Sequence, residues 1–91
     1  MRGLLIDPSL TWRLHPHVAV RPEPFGALLY HFGTRKLSFL KNRTIVAVVQ
    51  ALADHPDVPS ALAAAGVRPG HEAPYLHALD VLAESHMLVP E

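Results

Sequence analysis

Histidines are the residues of this chain whose types and spacing first suggest chemistry, with seven among 91 residues. His15 and His17 lie two residues apart, so in an extended segment both would point to one face and could share a metal ion. His71 and His77 are separated by Pro74, and the zinc-binding helix motif needs histidines at i and i+4 instead. Because neither pair has a third ligand close in sequence, the pattern favours surface or packing histidines over a metal site.

The other residue types that commonly act in catalysis do not occur in the sequence motifs of known active sites. The sequence has no cysteine, which excludes thiol nucleophiles, disulfides and cysteine-ligated metal or iron–sulfur centres. No serine lies in a glycine-flanked elbow, and the glycines form no phosphate-binding loop. Asp54 and His55 have no nucleophile beside them, so a pair at a helix end is the better interpretation. We therefore predict a protein that is not an enzyme and that has no cofactor and no metal.

Basic residues cluster near the middle of the chain. Half of the eight lysines and arginines lie between positions 35 and 43, namely Arg35, Lys36, Lys41 and Arg43. Such a cluster guards an exposed strand edge against aggregation, or it attracts an acidic peptide to that edge. The two roles are compatible. The formal net charge is zero, which argues against a general nucleic-acid binder.

Length and composition indicate one domain with a single core. Residues 1–11 have no clear period, so we predict an N-terminal tail at 1–11 and a domain at 12–91. Apolar runs such as Ile45–Val49 are far shorter than the roughly 18 residues that span a bilayer, and the N-terminus does not resemble a signal peptide. Because cysteine is absent, a reducing cytoplasm is the natural compartment, and no membrane partner is expected.

Three short strands and then three helices are predicted, an α+β order of βββααα. The strands are His17–Arg21, Phe25–His31 and Lys36–Leu40, the last two joined as an antiparallel hairpin. In the last strand, Leu37 and Phe39 share one face. The helices are Thr44–Ala53 after the cap Asn42, Ala61–Ala65 after a cap at 57–60, and Pro74–Ser85. Residues 87–90 form a short tail or a closing strand.

The third helix is apolar over an unusually wide arc. His77, Asp80 and Glu84 form a polar stripe at about 100° per residue, and apolar side chains cover the remaining arc of roughly 220°. A surface helix needs an apolar stripe somewhat over about 100° wide. The surplus predicts a second contact, which is a dimer partner, a bound peptide or the other helices of the domain.

The segment RPEPFGALLYHFGTRKLSFL, from Arg21 to Leu40, resembles the mycofactocin peptide chaperone (MftB) family. That family belongs with the PqqD-like recognition elements for ribosomally synthesised and modified peptides (RiPPs). The likeness runs from about Trp12 to the C-terminus, and it implies a winged helix-turn-helix arrangement with a three-stranded antiparallel sheet. DNA binders of that fold place basic side chains on the third helix. Here that helix has no lysine or arginine, so nucleic acid is disfavoured as a partner.

The resemblance implies a non-catalytic adaptor that binds the leader region of a ribosomal precursor peptide and presents it to a radical-SAM maturase. In this family of recognition elements the leader adds as a strand beside the third strand and packs on the third helix. Carried over to this chain, the strand is Lys36–Leu40. From the helix wheel we then infer the contacting side chains. The predicted peptide-binding residues are Arg35, Lys36, Leu37, Ser38, Phe39, Leu40, Tyr75, Leu76, Leu79, Leu82 and Ala83.

A small dimeric winged-helix scaffold without a carrier role is the alternative interpretation. It would use the same apolar surplus of the third helix for self-association, so the sequence leaves a homodimer open.

Overall fold

A computed structural model describes residues 5–91 of the chain. Within that range the strands are β1 (Trp12–Leu14), β2 (Val18–Glu23), β3 (Gly26–His31), β4 (Leu37–Leu40) and β5 (Leu88–Pro90). The helices are α1 (Arg43–Ala51), α2 (Val58–Ala64) and α3 (Ala73–Glu84), with a 3₁₀ turn at Leu52–Asp54. No helix in this range is long and apolar enough to cross a membrane.

The strands form two antiparallel sheets. β2, β3 and β4 make a three-stranded sheet with β3 in the centre, and β1 pairs with β5. The mixed α+β class, the antiparallel pairing and the three helices are confirmed. The order βββααα is wrong as a complete description, because β1 precedes the sheet and β5 follows the last helix. Strands of three residues are too short to show an alternating pattern in the sequence. β1 and β5 pair because the chain comes back beside β1 after α3.

The central sheet has one buried and one exposed face. On β3, Ala27, Leu29 and His31 are buried and belong to the inner face. On β4, Leu40 is buried, whereas Leu37 and Phe39 are exposed. The predicted alternation of β4 is therefore confirmed, with Leu37 and Phe39 pointing outward and Leu40 inward.

The caps of the first two helices follow the sequence. Asn42 Oδ1 accepts a hydrogen bond from the Ile45 amide at 2.9 Å, and Asp57 Oδ1 accepts one from the Ser60 amide at 2.9 Å. These bonds satisfy backbone donors that have no partner inside the helix. α1 packs against α2, β3 and β4, so it lies at the centre of the domain.

Residues 5–11 have no helix or strand, but they lie against the domain. Ile6 is buried in the core, and the amides of Leu5 and Ile6 both donate to Asp80 Oδ1, at 2.6 and 3.0 Å. The Trp12 indole donates to the Asp7 carbonyl at 2.8 Å. Residues 1–4 of the predicted tail lie outside the described range. The expected polar stripe of α3 is thus wrong at Asp80, which is 7% exposed because it anchors this segment.

Gly26 is expected to be intolerant of a side chain. A methyl group there would collide with the backbone carbonyl of Leu40 and lie 3.1 Å from the Asn42 amide nitrogen. Because the obstacle is backbone, β3 and β4 would have to separate. We expect Gly26→Ala to lower the free energy of unfolding by about 2 kcal/mol in urea denaturation.

Gly70→Ala is the control for this substitution. Nothing lies within 4 Å of a methyl group at Gly70, whose φ is +88°, so the loss there reflects backbone strain alone, about 1 kcal/mol. Equal losses at the two positions would contradict the close approach of β3 and β4.

Candidate binding groove

A cleft of about 810 Å³ lies between β4 and α3, and we call it the groove. One wall is formed by Phe39 and Leu40 of β4, and the other by α3. The start of α1 and the loop that precedes α3 complete it. The lining residues are Phe39, Leu40, Lys41, Asn42, Thr44, Ile45, Gly66, Val67, Arg68, Gly70, His71, Pro74, Tyr75, Ala78, Val81 and Leu82.

The groove has an apolar interior and a basic rim. Leu40, Ile45 and Leu82 are buried beneath it, while Lys41 and Arg68 are exposed at its edge. None of its described lining residues is acidic. Phe39 is 61% exposed and Val81 is 46% exposed, so large apolar side chains on both walls are available to a ligand. This chemistry suits a ligand with apolar side chains and negative charge.

β4 is an edge strand. It pairs with β3 on one side, through partners that run from Ala27↔Leu40 to Tyr30↔Leu37. On its other side no strand of the described chain is paired with it. Unpaired backbone N–H and C=O groups at such an edge can accept a further strand. The groove therefore combines a hydrogen-bonding edge with an apolar wall.

The structure brings four of the predicted site residues together in the groove. They are Phe39, Leu40, Tyr75 and Leu82. The other predicted residues of the strand segment, Arg35, Lys36, Leu37 and Ser38, lie on the turn and on β4 but do not line the groove. Arg35 has a φ of +62°, which marks it as a residue of the tight turn before β4.

The remaining predicted residues of α3 face elsewhere. Leu79 is 0% exposed and lies in the core, while Leu76 and Ala83 are half-buried and packed against the core. The groove wall instead uses Ala78 and Val81. Both lie on the same helical face as Tyr75 and Leu82, since residues three and four apart are neighbours on a helix surface.

Sequence reasoning missed the contribution of α1 and the loop before α3. Lys41 belongs to the basic cluster of the sequence, but Arg68 and His71 are distant from it in sequence and join it only in the fold. No local pattern marks these two residues. In the part of the chain that the structure describes, no group of three or more histidine or acidic side chains is arranged to hold a metal ion.

Comparison with known proteins decides the family. The model of the peptide chaperone MftB family matches residues 11–89. The chain belongs to this family. The resemblance seen between Arg21 and Leu40 is thereby confirmed over nearly the whole chain.

Three proteins named Peptide chaperone MftB are similar to this chain over most of its length. The protein of Mycobacterium ulcerans (strain Agy99) is 78% identical, over 93% of this chain and 78% of its own length. The protein of Mycolicibacterium smegmatis (strain ATCC 700084 / mc(2)155) is 72% identical, over 96% and 85%. The protein of Mycobacterium tuberculosis (strain ATCC 25618 / H37Rv) is 75% identical, over 92% and 77%. No solved structure matches the chain.

Membership of the MftB family gives the chain a chaperone role. That role is non-catalytic, so the prediction that the chain is not an enzyme is confirmed.

Proposed function

We propose that this chain binds the leader region of a ribosomal precursor peptide of mycofactocin biosynthesis and presents it to a radical-SAM maturase in the cytoplasm. The observation that carries the proposal is the groove, in which an unpaired strand edge lies beside an apolar helix face. The names of the relatives, which specify a peptide chaperone, support the class of ligand. We further propose that the arrangement is winged-helix-like, as in PqqD-like recognition elements.

Strand addition explains how one surface provides both affinity and specificity. A peptide paired with β4 would lie about 4.8 Å from it, and its backbone would bond to the edge with little sequence preference. Every second peptide side chain would then point toward Tyr75, Val81 and Leu82 on α3. These alternate side chains set specificity.

The size of the groove limits the affinity. Each fully buried aliphatic anchor contributes about 1.5–3 kcal/mol, and ordering the peptide costs several kcal/mol. Two or three anchors alone fall short of the roughly 8 kcal/mol of a micromolar Kd, so the backbone bonds to β4, at about 0.5–1.5 kcal/mol each, would supply the rest. Such an affinity suits a carrier that must release its cargo to an enzyme.

Titration of the ¹⁵N-labelled chain with the leader of its candidate precursor peptide tests the proposal. We expect saturable amide shifts in Leu37–Leu40, in Ala73–Glu84 and at Arg68. The absence of shifts in these segments at about millimolar peptide would contradict stand-alone leader binding. Addition of the maturase would then show whether the peptide binds only to the pair.

The scaffold alternative predicts a different result. A homodimer formed through α3 would dissociate on dilution in sedimentation experiments, and peptide would leave its amide shifts unchanged. A salt-sensitive gel shift with duplex DNA would instead indicate nucleic-acid binding. Neither outcome is compatible with the proposed groove.

The basic rim of the groove is expected to hold an acidic leader. Lys41→Glu combined with Arg68→Glu should raise the Kd of the peptide about tenfold, because two attractive charges at the groove become repulsive. The Kd is measured by surface plasmon resonance at about 0.15 M salt. At that concentration salt screens charges that are more than about 8 Å apart, so the measurement reports mainly on charges close to the peptide.

Arg35→Glu combined with Lys36→Glu is the control for charge alone. It changes the net charge by the same amount, but neither residue lines the groove. We expect slower association, reduced salt dependence and a Kd within about threefold of the original. If both double variants weaken binding equally, the attraction is general and the rim has no specific role.

A further inference from the structure

Three histidines that are distant in sequence meet at one end of the central sheet, and we call them the histidine cluster: His15, His17 and His31. The ring centroids of His15 and His31 are 4.4 Å apart, those of His15 and His17 are 5.1 Å apart, and those of His17 and His31 are 6.4 Å apart. His31 is 3% exposed, and its Nε2 atom has no hydrogen-bond partner among the described residues.

His31 holds the turn between β3 and β4. Its Nδ1 atom accepts hydrogen bonds from the amides of Gly33 and Thr34, at 3.0 and 3.1 Å. The backbone of His31 adds two bonds to the same turn, donating to the Lys36 carbonyl at 3.0 Å and accepting from the Arg35 amide at 2.7 Å. Since this turn leads directly into β4, the His31 ring organises the start of the edge strand.

The ring of His15 holds the loop before β2 in the same way. Its Nδ1 atom accepts a hydrogen bond from the His17 amide at 2.9 Å, and the His17 carbonyl accepts one from the Phe32 amide at 2.8 Å. An Nδ1 atom that accepts a bond carries no proton, so both His15 and His31 are neutral and protonated on Nε2. That tautomer leaves no lone pair on Nε2 for a metal ion, which argues against a metal role for the cluster.

We propose that the histidine cluster is a proton-sensitive clasp, which holds the β3–β4 turn when its rings are neutral and releases it when they are protonated. A protonated imidazole donates through both nitrogens. At His31 the new Nδ1 proton would face the Gly33 and Thr34 amides, and at His15 it would face the His17 amide. Protonation therefore breaks the bonds from these amides to the rings, and the backbone bonds of His31 to Arg35 and Lys36 are left to close the turn.

The surroundings of the cluster oppose positive charge. Burial lowers the pKa of His15, and repulsion from His31, His17, Arg13 and His86 adds to the effect. These neighbours come from β1, from the loop before β2, from β3 and from the turn between α3 and β5, and none of them is acidic. A lowered pKa means that the folded state binds the proton less readily than the unfolded state. The stability that neutral His15 provides is therefore complete above its unfolded pKa of about 6.5 and is lost as the pH falls below it.

The two carboxyl groups whose pKa is lowered, those of Asp7 and Asp57, do not change charge in this pH window. Hydrogen bonds from Ser60 lower the pKa of Asp57, and those from Ser9 lower the pKa of Asp7. Both groups stay ionised where histidines titrate. Because His55 also acts on the pKa of Asp57, the internal reference is instead the cap of α1, where the side chain of Asn42, which does not titrate, accepts the bond from the Ile45 amide.

A pH series of the ¹⁵N-labelled chain from about pH 8 to about pH 5 tests the clasp without any peptide. We expect the Gly33 and Thr34 amides to shift together and, after correction for intrinsic rates, to exchange at least about tenfold faster at the acid end. The Ile45 amide, which is bonded to Asn42, should stay in place. Gly33 and Thr34 amides that remain fixed throughout would overturn the proposal.

His31→Asn separates hydrogen bonding from titration. An asparagine oxygen accepts bonds from amides two residues on but does not titrate, so the two turn amides should lose their pH response. His77→Asn, at an exposed position of α3, should keep the full response. Retention of the response in His31→Asn would overturn the proposal.

His15→Asn provides a second variant, which decides the question if His31→Asn does not fold. It keeps an acceptor for the His17 amide but does not titrate, so that amide should lose its pH response. The Gly33 and Thr34 amides, which bond to the His31 ring, should keep theirs. A His17 amide that still responds to pH in His15→Asn would overturn the proposal.

Discussion

Val81→Asp is expected to raise the Kd of the precursor peptide about thirtyfold while the domain stays folded. Val81 lines the groove and is 46% exposed, so an aspartate there remains hydrated and the fold tolerates it. The substitution removes an apolar contact of about 1.5–3 kcal/mol and adds a negative charge beside an acidic ligand. Isothermal titration calorimetry measures the affinity, and circular dichroism checks the fold.

Leu79→Asp is the matched substitution two residues earlier on α3, and it should unfold the domain. Leu79 is 0% exposed, so the substitution removes a buried aliphatic side chain, which costs about 2–5 kcal/mol, and buries a carboxylate without a partner, which costs several kcal/mol more. A domain of this size has about 5–10 kcal/mol of stability to lose. The expected results are loss of the cooperative thermal transition and aggregation on expression.

The two variants together determine the orientation of α3. If Leu79→Asp folded normally and lost only peptide binding, Leu79 would line the groove, as the helix wheel suggests. If Val81→Asp bound peptide with unchanged affinity, the peptide would not reach this part of α3. Either result would contradict the proposed site.

The hairpin that carries the edge strand is predictable from sequence because its signals are local. β4 alternates strictly between outward Leu37 and Phe39 and inward Leu40, and Gly33 lies in a turn of the right length. Asn42 marks the start of α1 in the same local way. These features depend on neighbours in the chain, so sequence alone is sufficient for them.

The sequence does not predict which face of α3 packs against the core, because the helix is apolar over most of its circumference. Tyr75, Leu79 and Leu82 are equally suited to the core and to the groove, and only packing against the rest of the domain assigns Leu79 to the core. The polar side of the helix is equally ambiguous. An aspartate such as Asp80 faces solvent unless a distant segment supplies donors for it.

The histidine cluster shows the same limit. His15 and His17 are visible as a pair in the sequence, but His31 joins them only because β2 and β3 align in the sheet, with Val18 opposite His31. The role of each ring depends on amides at the turn. The spacing of the histidines in the sequence does not predict those hydrogen bonds.

Asp80→Ala is expected to lower the free energy of unfolding by about 3 kcal/mol. The substitution removes the acceptor of the Leu5 and Ile6 amides, and bonds to a charged group contribute about 1.5–3 kcal/mol each. Ile6 would then leave the core, which exposes apolar surface that the segment covers. Urea denaturation followed by tryptophan fluorescence measures the loss, since the Trp12 indole donates to the Asp7 carbonyl next to this segment.

Asp80→Asn and His77→Ala distinguish the anchoring role of Asp80 from a general effect on α3. An asparagine keeps one oxygen acceptor, so we expect a loss about half as large. His77 is exposed on the same helix, and its replacement should change stability by less than about 0.5 kcal/mol.

Because residues 5–11 do not line the groove, peptide affinity should be unchanged in Asp80→Ala under conditions where the domain is folded. A stability equal to that of His77→Ala would show that the N-terminal segment adds nothing to the fold. Weaker peptide binding with unchanged stability would place that segment at the binding surface instead.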